Sequence, residues 1–361
     1  MGAIIDRVVA HPLRLPLETP IASALGEYTH VDCVVVRVHT RDGPTGTGLS
    51  AGLGGHGGVP MAMYIDAELS PLIIGRDALA PDALWHAMWS PNKPRLRGGL
   101  GAWSLSAVDI ALWDITAKTA ALPLVTLLGG HRRSVPVYGS GGWHTLTDDA
   151  LIAEAQGFVS RGITAYKYKT GTERDAQRTA LLRAELGDDI TLLADANQKF
   201  NVREAIAHSK MLADFDVAWL EEPVLADTID DLAAVARRSS VPIAAGENAY
   251  FRWEFREILD RRAAAYLQPD IGRVGGVSEF RRVAALADSF NVSLSSHLWH
   301  ELSISLVGSS PMGYMCEYAE LIPPDTLTRE FVVNDGRIEI PDVPGHGVEF
   351  TEEALQRFRV A

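Results

Sequence analysis

The chain has 361 residues, more than one hydrophobic core usually serves, and this length predicts two structural units. Its 33 basic and 46 acidic residues give a net charge of −13, and the basic residues are scattered, which argues against nucleic acid or an anionic membrane as a partner. The two cysteines lie far apart and give no disulfide framework, no secretory signal is visible, and no apolar run approaches the roughly 20 residues of a membrane span. These features predict a cytoplasmic enzyme.

The first fifty residues have the pattern of an antiparallel sheet. Residues 4–17 and 31–40 are rich in β-branched side chains, and residues 41–43 predict a hairpin turn before residues 45–50. This pattern differs from the alternation of strands and helices that follows later in the chain.

Residues 49–58 contain five glycines in ten positions. Such a segment is either a flexible surface loop or the tip of a lid that closes over a ligand. In the second interpretation His56, and with it Tyr28 or His30, would reach inward.

Helices are predicted for residues 61–88, with a break at Pro71, and for residues 104–121. A polar, glycine-marked joint follows at residues 127–134. We therefore place a domain boundary near residue 130, so that residues 1–130 form an α+β unit.

From residue 135 the pattern changes to short apolar runs separated by amphipathic helical segments such as residues 201–215, where Asn201 and Glu204 have the spacing of a capping box. The runs are residues 135–138, 163–169, 190–195, 217–221, 242–247, 264–270, 292–297 and 314–318. Eight runs favour a closed parallel barrel over an open sheet, and the lack of a Gly-x-Gly-x-x-Gly motif after an early strand weakens a dinucleotide-binding alternative. The barrel is predicted for residues 131–325, and residues 326–361 are expected to return to the first unit.

Four charged residues recur at a spacing of 26: Lys169, Asp195, Glu221 and Glu247. One strand, one helix and two short loops add up to roughly that length, so each residue ends one strand of the barrel. The carboxyl ends of barrel strands converge on one rim, which is the rim that carries chemistry. The spacing therefore predicts an active site.

The three carboxylates Asp195, Glu221 and Glu247 would repel one another unless a cation neutralised them. Because oxygen ligands without histidine or thiolate favour Mg²⁺, the set predicts a magnesium site. The alternative is three separate helix caps or surface ion pairs, which the common register makes the poorer interpretation.

Three further groups are predicted to face this site. Lys167 and Lys169 lie two apart on one strand, so both point to one face, and we expect each ammonium to lower the pKa of the other, which would make one a usable base. Asp270 and His297 end adjacent runs, where the carboxylate would orient the imidazole. Glu317, in the eighth run, would stay protonated among other carboxylates and donate a hydrogen bond to an oxyanion.

The strand ends carry a set of short motifs: YKYK at 166–169, LADAN at 193–197, WLEEP at 219–223, AGEN at 245–248, QPD at 268–270, SSHL at 295–298 and Glu317, with further matches at 107–130 and 340–348. With these motifs the chain resembles the enolase superfamily, and within it the mandelate racemase subgroup. The resemblance implies a modified (β/α)₇β TIM barrel with an α+β capping domain built from both chain ends. It also implies a homo-oligomer, often an octamer.

The resemblance further implies roles for these residues. Asp195, Glu221 and Glu247 would bind Mg²⁺, Lys169 would be the base on one face of a small carboxylate substrate, and Lys167 would tune it. His297, oriented by Asp270, would be the acid/base on the opposite face, Glu317 an electrophilic donor, and Ser140 and Asn197 substrate contacts.

The implied chemistry is removal of the α-proton of a hydroxy-carboxylate through an enediolate. By analogy with proteins that it resembles, dehydration of an acid sugar to a 2-keto-3-deoxy acid is the favoured outcome. Racemisation of a 2-hydroxy acid, cycloisomerisation of an anhydro sugar acid and a non-catalytic metal-binding barrel remain as alternatives. Residues 26–30, the glycine-rich segment, residues 143–144 and residues 298–300 are the candidates for substrate specificity.

Overall fold

A three-stranded antiparallel sheet forms the N-terminal part of this computed structural model, which describes residues 2–360. Its strands are β1 (Ile5–Ser23), β2 (Gly26–Thr40) and β3 (Gly46–Leu53), joined in that order. Alternate residues of β2 point to opposite faces. Val34 and Val36 belong to a core under the N-terminal helices, whereas Cys33 and Val35 belong to the core shared with the rest of the molecule. The sheet is therefore buried on both faces.

Strand β3 corrects the prediction of a glycine-rich loop over residues 49–58. Residues 49–53 continue the strand, and the irregular segment begins only at Gly54. Small residues suit this strand because it packs closely on a helix: a Cβ at Gly48 would lie 1.9 Å from the carbonyl oxygen of Ala107.

Four helices follow the sheet: α1 (Gly58–Tyr64), α2 (Pro81–Asn92), α3 (Gly99–Thr119) and α4 (Leu124–Leu127). Short π-helical and 3-10 turns extend α1 to Leu72, but residues 73–80 are not helical, so the prediction of helix over 61–88 is wrong there. The reason is tertiary. Gly75 N donates to Ile5 O at 2.8 Å and Ala78 N donates to Ala3 O at 2.9 Å, so this backbone bonds to the chain start instead of to itself.

Eight parallel strands and seven helices then alternate. They are β4 (Ser134–Ser140), α5 (Asp148–Val159), β5 (Ala165–Lys169), α6 (Asp175–Leu186), β6 (Thr191–Asp195), α7 (Val202–Ala213), β7 (Val217–Glu221), α8 (Ile229–Ala236), β8 (Ile243–Ala245), α9 (Phe251–Asp260), β9 (Tyr266–Leu267), α10 (Gly276–Phe290), β10 (Ser293–Leu294), α11 (His300–Ser309) and β11 (Cys316–Tyr318). Strand β11 pairs with β4, and Tyr314 N donates to Leu294 O at 2.7 Å beside β10, which closes the barrel. The (β/α)₇β prediction is confirmed, and so is the capping box of Asn201 and Glu204 on α7.

The C-terminal segment contains β12 (Val333–Asn334), β13 (Arg337–Glu339) and α12 (Glu352–Arg357). Strand β13 pairs antiparallel with β4, so this segment first extends the barrel sheet and only then turns to the N-terminal unit. There Leu124 N donates to Gly345 O at 2.7 Å, and Arg14 N donates to Phe358 O at 2.9 Å. These contacts join the C-terminal segment to the N-terminal unit. The division at residues 130 and 325 stays a prediction, and its outer limits, residues 1 and 361, lie outside the described part. None of the helices within residues 2–360 combines the length and apolarity needed to cross a membrane.

The close packing of β3 on α3 gives a stability prediction. Gly48→Ala is expected to lower the free energy of unfolding by about 1–3 kcal/mol or more, because the added methyl has no space. Gly157→Ala is the matched control: Gly157 is exposed within α5 with nothing near its Cβ position, and the change should raise stability by up to about 1 kcal/mol. Urea unfolding measures both, and an unchanged Gly48→Ala midpoint would contradict the packing.

Candidate active site

Three buried carboxylates meet at the rim of the barrel. Asp195 and Glu221 end β6 and β7 and are paired in register, and Glu247 lies just beyond β8, after the turn at Gly246. One oxygen from each lies within 4.8 Å of the others. Although it is buried, Glu247 Oε2 accepts no hydrogen bond. Three convergent carboxylates with an oxygen left open fit a Mg²⁺ ion.

The two lysines of β5 divide between this cluster and the neighbouring cavity. Lys167 Nζ lies 2.7 Å from Glu221 Oε1 and 2.8 Å from Glu317 Oε1, and its side chain is fully buried. Lys169 Nζ donates to Asp195 Oδ2 at 2.5 Å and also lines the cavity. Both side chains thus point into the barrel, and of the two Lys169 is the one that can reach a ligand.

The surroundings of Lys167 correct one prediction. Burial lowers the pKa of Lys167, but the carboxylates of Glu221 and Glu317 raise it more, so the net pKa lies well above the ordinary lysine value. The nearest carboxylates therefore outweigh the repulsion that we expected from Lys169. The structure therefore holds Lys167 as a cation.

The cluster also shifts the pKa of its acids. Burial raises the pKa of Glu221 to about 8, against the lowering effect of Lys167. Burial also raises the pKa of Asp195, but Lys169 and Lys167 together lower it by more, so its net pKa is below the usual value. The pKa values of these two groups therefore shift in opposite directions, because two lysines act on Asp195, whereas one lysine acts on Glu221 against burial and the neighbouring carboxylates.

His297 and Asp270 form the predicted dyad. Both lie just beyond the short strands β10 and β9, and His297 Nδ1 is 2.7 Å from Asp270 Oδ2. The other ring nitrogen, Nε2, is 3.2 Å from Glu247 Oε2 and faces the carboxylate cluster. Burial lowers the pKa of His297, but Glu247 and the bond to Asp270 raise it, and the net pKa is above the ordinary value.

Glu317 differs from its predicted state. Its Oε1 accepts from Ser140 Oγ at 2.6 Å, and its Oε2 accepts from Leu298 N at 2.8 Å. Burial raises the pKa of Glu317, but Lys167, His297 and Lys169 lower it by more, so its pKa falls well below the usual value. The prediction of a protonated Glu317 is wrong for this arrangement, because cations and donors rather than other carboxylates are its nearest neighbours.

Asn197 and Ser140 take different positions. Asn197 lines the cavity, and its side-chain Oδ1 is buried without a hydrogen-bond partner, as a substrate contact would require. Its own Nδ2 donates to Asp195 Oδ2 at 3.3 Å. Ser140 does not line the cavity. It donates to Glu317, which does, so it would act on a ligand only through Glu317.

A cavity of about 520 Å³ lies between the barrel rim and the N-terminal unit. It joins Lys169, Glu247, His297 and Glu317 to a wall from the first sheet and α3. That wall contains Ser23, Leu25, Tyr28, Asp32, Gly52 through Gly57 with His56, Leu100 and Trp103. The predicted contribution of the glycine-rich segment is thus present, whereas its movement as a lid stays a prediction.

Some predicted specificity residues lie elsewhere. His30 does not line the cavity, and its Nε2 is 3.0 Å from Gly55 O, where it supports the glycine-rich segment. His300 packs on Tyr318 outside the cavity, while Trp143 and Leu298 do line it. Arg273 also lines the cavity, although no motif in the sequence predicted it.

Two family models together match almost the whole chain. Residues 4–129 match the N-terminal domain of the mandelate racemase / muconate lactonizing enzyme family, and residues 150–354 match the enolase C-terminal domain-like family. The chain belongs to the enolase superfamily. The resemblance seen in the sequence motifs is therefore confirmed.

Similar proteins and solved structures illustrate the chemistry of this superfamily. A 3,6-anhydro-alpha-L-galactonate cycloisomerase of Streptomyces coelicolor is 35% identical over 99% of this chain and 100% of its own length. The crystal structure of a racemase from Streptomyces coelicolor A3(2) with bound magnesium has a TM-score of 0.95 at 35% identity, covering 99% and 100% of the two chains. That of L-talarate dehydratase from Polaromonas sp. JS666, complexed with Mg and L-glucarate, has a TM-score of 0.92 at 31% identity, covering 99% and 98%.

These enolase superfamily members are lyases and isomerases, and this chain is an enzyme of the same kind. The magnesium prediction is likewise confirmed, because related structures hold the ion and the buried carboxylate triad here fits it. The relatives differ in reaction, so membership of the superfamily does not by itself fix the reaction of this chain.

Proposed function

We propose that this enzyme removes the α-proton of a polyhydroxy carboxylate and then expels the oxygen on the β-carbon, which gives a 2-keto-3-deoxy acid. The observation that carries the proposal is the placement of two proton-transfer groups in one cavity. Lys169 contacts the first carboxylate of the triad, Asp195, and His297 contacts the third, Glu247. The two groups can thus approach a bound substrate from different directions.

Asp195, Glu221 and Glu247 would hold Mg²⁺, which when bound stabilises the negative charge that develops on the substrate carboxylate. Lys169 removes the α-proton, and its ammonium is then held by Asp195 and lies 4.9 Å from the centre of the Trp143 ring. Lys167 stays charged and compensates the surrounding carboxylates. Lys169 therefore acts as the base, and Lys167 has an electrostatic role.

His297 acts on the other side of the substrate. Its Nδ1–H donates to Asp270, which fixes the ring and leaves Nε2 toward the cavity to give a proton to the departing oxygen. Glu317 must itself take up a proton before it can donate to the substrate. A substrate carboxylate beside it favours that form, because like charges repel, so its predicted role as donor stays a proposal for the complex.

The identity of the departing oxygen separates the candidate reactions. Loss of a hydroxyl is dehydration of an acid sugar, which we propose first, in line with the dehydratase among the similar structures. Loss of a ring ether oxygen would be cycloisomerisation of an anhydro sugar acid, and the cycloisomerase that matches from end to end favours this second candidate. Return of a proton to the α-carbon by His297 would be racemisation.

The test is a substrate screen with Mg²⁺ in D₂O, followed by NMR. The panel contains galactarate, L-talarate, L-glucarate, arabinonate, 3,6-anhydro-L-galactonate and both enantiomers of mandelate. A keto-deoxy product from an open-chain acid supports dehydration, and one from the anhydro acid supports cycloisomerisation. Deuterium at the α-carbon of recovered acid without a keto product selects racemisation. Absence of both exchange and product for every acid contradicts the proposal and favours a binding function.

We also propose that the chain assembles as a homo-oligomer, in line with the octamer implied by its superfamily. Sedimentation velocity measures the assembly directly, and a single species at 39.1 kDa would contradict it.

A further inference from the structure

Arg273 connects the dyad, the metal-ligand segment and the N-terminal unit. It lines the cavity, and its side chain is nine-tenths buried. Its Nε lies 3.2 Å from Asp270 Oδ2, the same oxygen that accepts from His297 Nδ1. Its Nη1 donates to Glu247 O at 3.2 Å and lies 3.4 Å from Asn248 Oδ1.

The N-terminal unit holds this arginine from the other side. The guanidinium carbon of Arg273 lies 4.9 Å from the ring centre of Trp103 on α3. In the same loop, Gly272 O accepts from Ser50 Oγ of β3 at 2.7 Å, and Gly272 N donates to Asp270 Oδ1 at 2.7 Å. The loop therefore holds both oxygens of Asp270, one through the hydrogen bond from Gly272 N and the other through the ion pair with Arg273.

We propose that Arg273 is a positioning residue that sets the orientation of His297 through Asp270 and ties that orientation to Trp103. This inference rests on the proposed function, in which His297 is the acid/base group. A planar guanidinium can lie against an aromatic ring and direct several N–H groups in its plane, which a lysine ammonium cannot do. Without it, Asp270 Oδ2 keeps one partner, and the His297 ring loses its fixed direction toward the substrate.

The kinetic test compares α-proton exchange in D₂O with Mg²⁺ for galactarate and L-talarate, which differ in configuration at an α-carbon. Arg273→Met should lower exchange on the His297 face by about tenfold to a hundredfold, the usual effect of losing such a support, and leave the Lys169 face within about threefold. Arg273→Lys should lose nearly as much, because one ammonium cannot pair with Asp270, bond to Glu247 O and lie against Trp103 at the same time. An equal fall on both faces, or a fully active Arg273→Lys, would overturn the proposal.

A second measurement does not need turnover. In ¹⁵N-histidine-labelled protein, the Nδ1–H resonance of His297, assigned by its loss in His297→Asn, should shift or broaden in Arg273→Met and, less strongly, in Trp103→Leu. If Arg273→Met does not fold, the His297 resonance in Trp103→Leu tests the positioning role instead. An unchanged resonance in a folded variant would refute the positioning role, whereas a wild-type enzyme inactive on every acid would refute only the proposed function.

Arg281→Met is the matched control. Arg281, on α10, lies over Trp113 of α3 at 4.7 Å, so it makes the same kind of contact with α3 from the helix that follows the Arg273 loop. It is outside the cavity and partly exposed. This variant should leave both exchange rates and the His297 resonance as in the wild type, and a matching loss there would show that any arginine–tryptophan contact on α3 has the same effect.

Discussion

Replacing Lys169 with alanine is expected to remove α-proton exchange from one face of the substrate while exchange from the other face continues. Lys169 Nζ is 2.5 Å from Asp195 Oδ2 and lines the cavity, and Lys167 cannot replace it because its fully buried ammonium is bound by Glu221 and Glu317. Loss of a positioned base typically costs about a hundredfold to ten-thousandfold. The measurement is deuterium incorporation at the α-carbon by NMR.

His297→Asn is expected to give the complementary result. Asparagine keeps a hydrogen-bonding side chain toward Asp270 but has no group that can give or take a proton at the position of Nε2. Exchange from the second face, and the loss of the β-oxygen, should fall by a similar factor.

Lys210→Ala and His131→Asn are the controls, because both residues are exposed and lie outside the cavity. Full turnover in either active-site variant would disprove the role assigned to that residue. If both variants lost exchange from the same face, Lys169 and His297 would share one side, and the two-sided mechanism would be wrong.

Removing Mg²⁺ by chelation is expected to abolish activity and to lower the melting temperature, with both restored when Mg²⁺ returns. The ion would neutralise three buried carboxylates whose oxygens lie within 4.8 Å. Binding to the folded state alone at a free concentration a hundred times Kd adds about 2.7 kcal/mol to the free energy of unfolding. Differential scanning calorimetry with and without Mg²⁺ measures this shift.

Glu221→Gln separates binding by the triad from a general salt effect. Burial raises the pKa of Glu221 to about 8, so without Mg²⁺ this group is largely protonated at neutral pH, and the amide of the same shape should change the free energy of unfolding little. Gln268 Nε2 now donates to Glu221 Oε2 at 2.7 Å, and its own Oε1 has no partner, so this amide can turn to suit the new side chain. The stabilisation by Mg²⁺ should largely disappear. Equal stabilisation of both proteins would place the ion elsewhere.

The protonation states show where sequence reasoning stops. The spacing along β5 predicts that Lys167 and Lys169 share a face, but it does not show which carboxylates approach each ammonium. In the folded protein Lys167 contacts Glu221 and Glu317, so its pKa rises, and Glu317 has a lowered pKa for the same reason. The pKa of a buried group depends on neighbours within a few ångströms, and these come from separate strands.

The sequence by itself determined the barrel, the carboxylate triad and the dyad, because the period of strand and helix is local and every strand end of a parallel barrel meets one rim. Tertiary structure alone decided that residues 73–80 bond to the chain start, that His300 faces away from the cavity, and that Arg273 joins Asp270 to Trp103. Those contacts join residues distant along the chain, and no periodicity along the sequence records which distant surfaces will pack together.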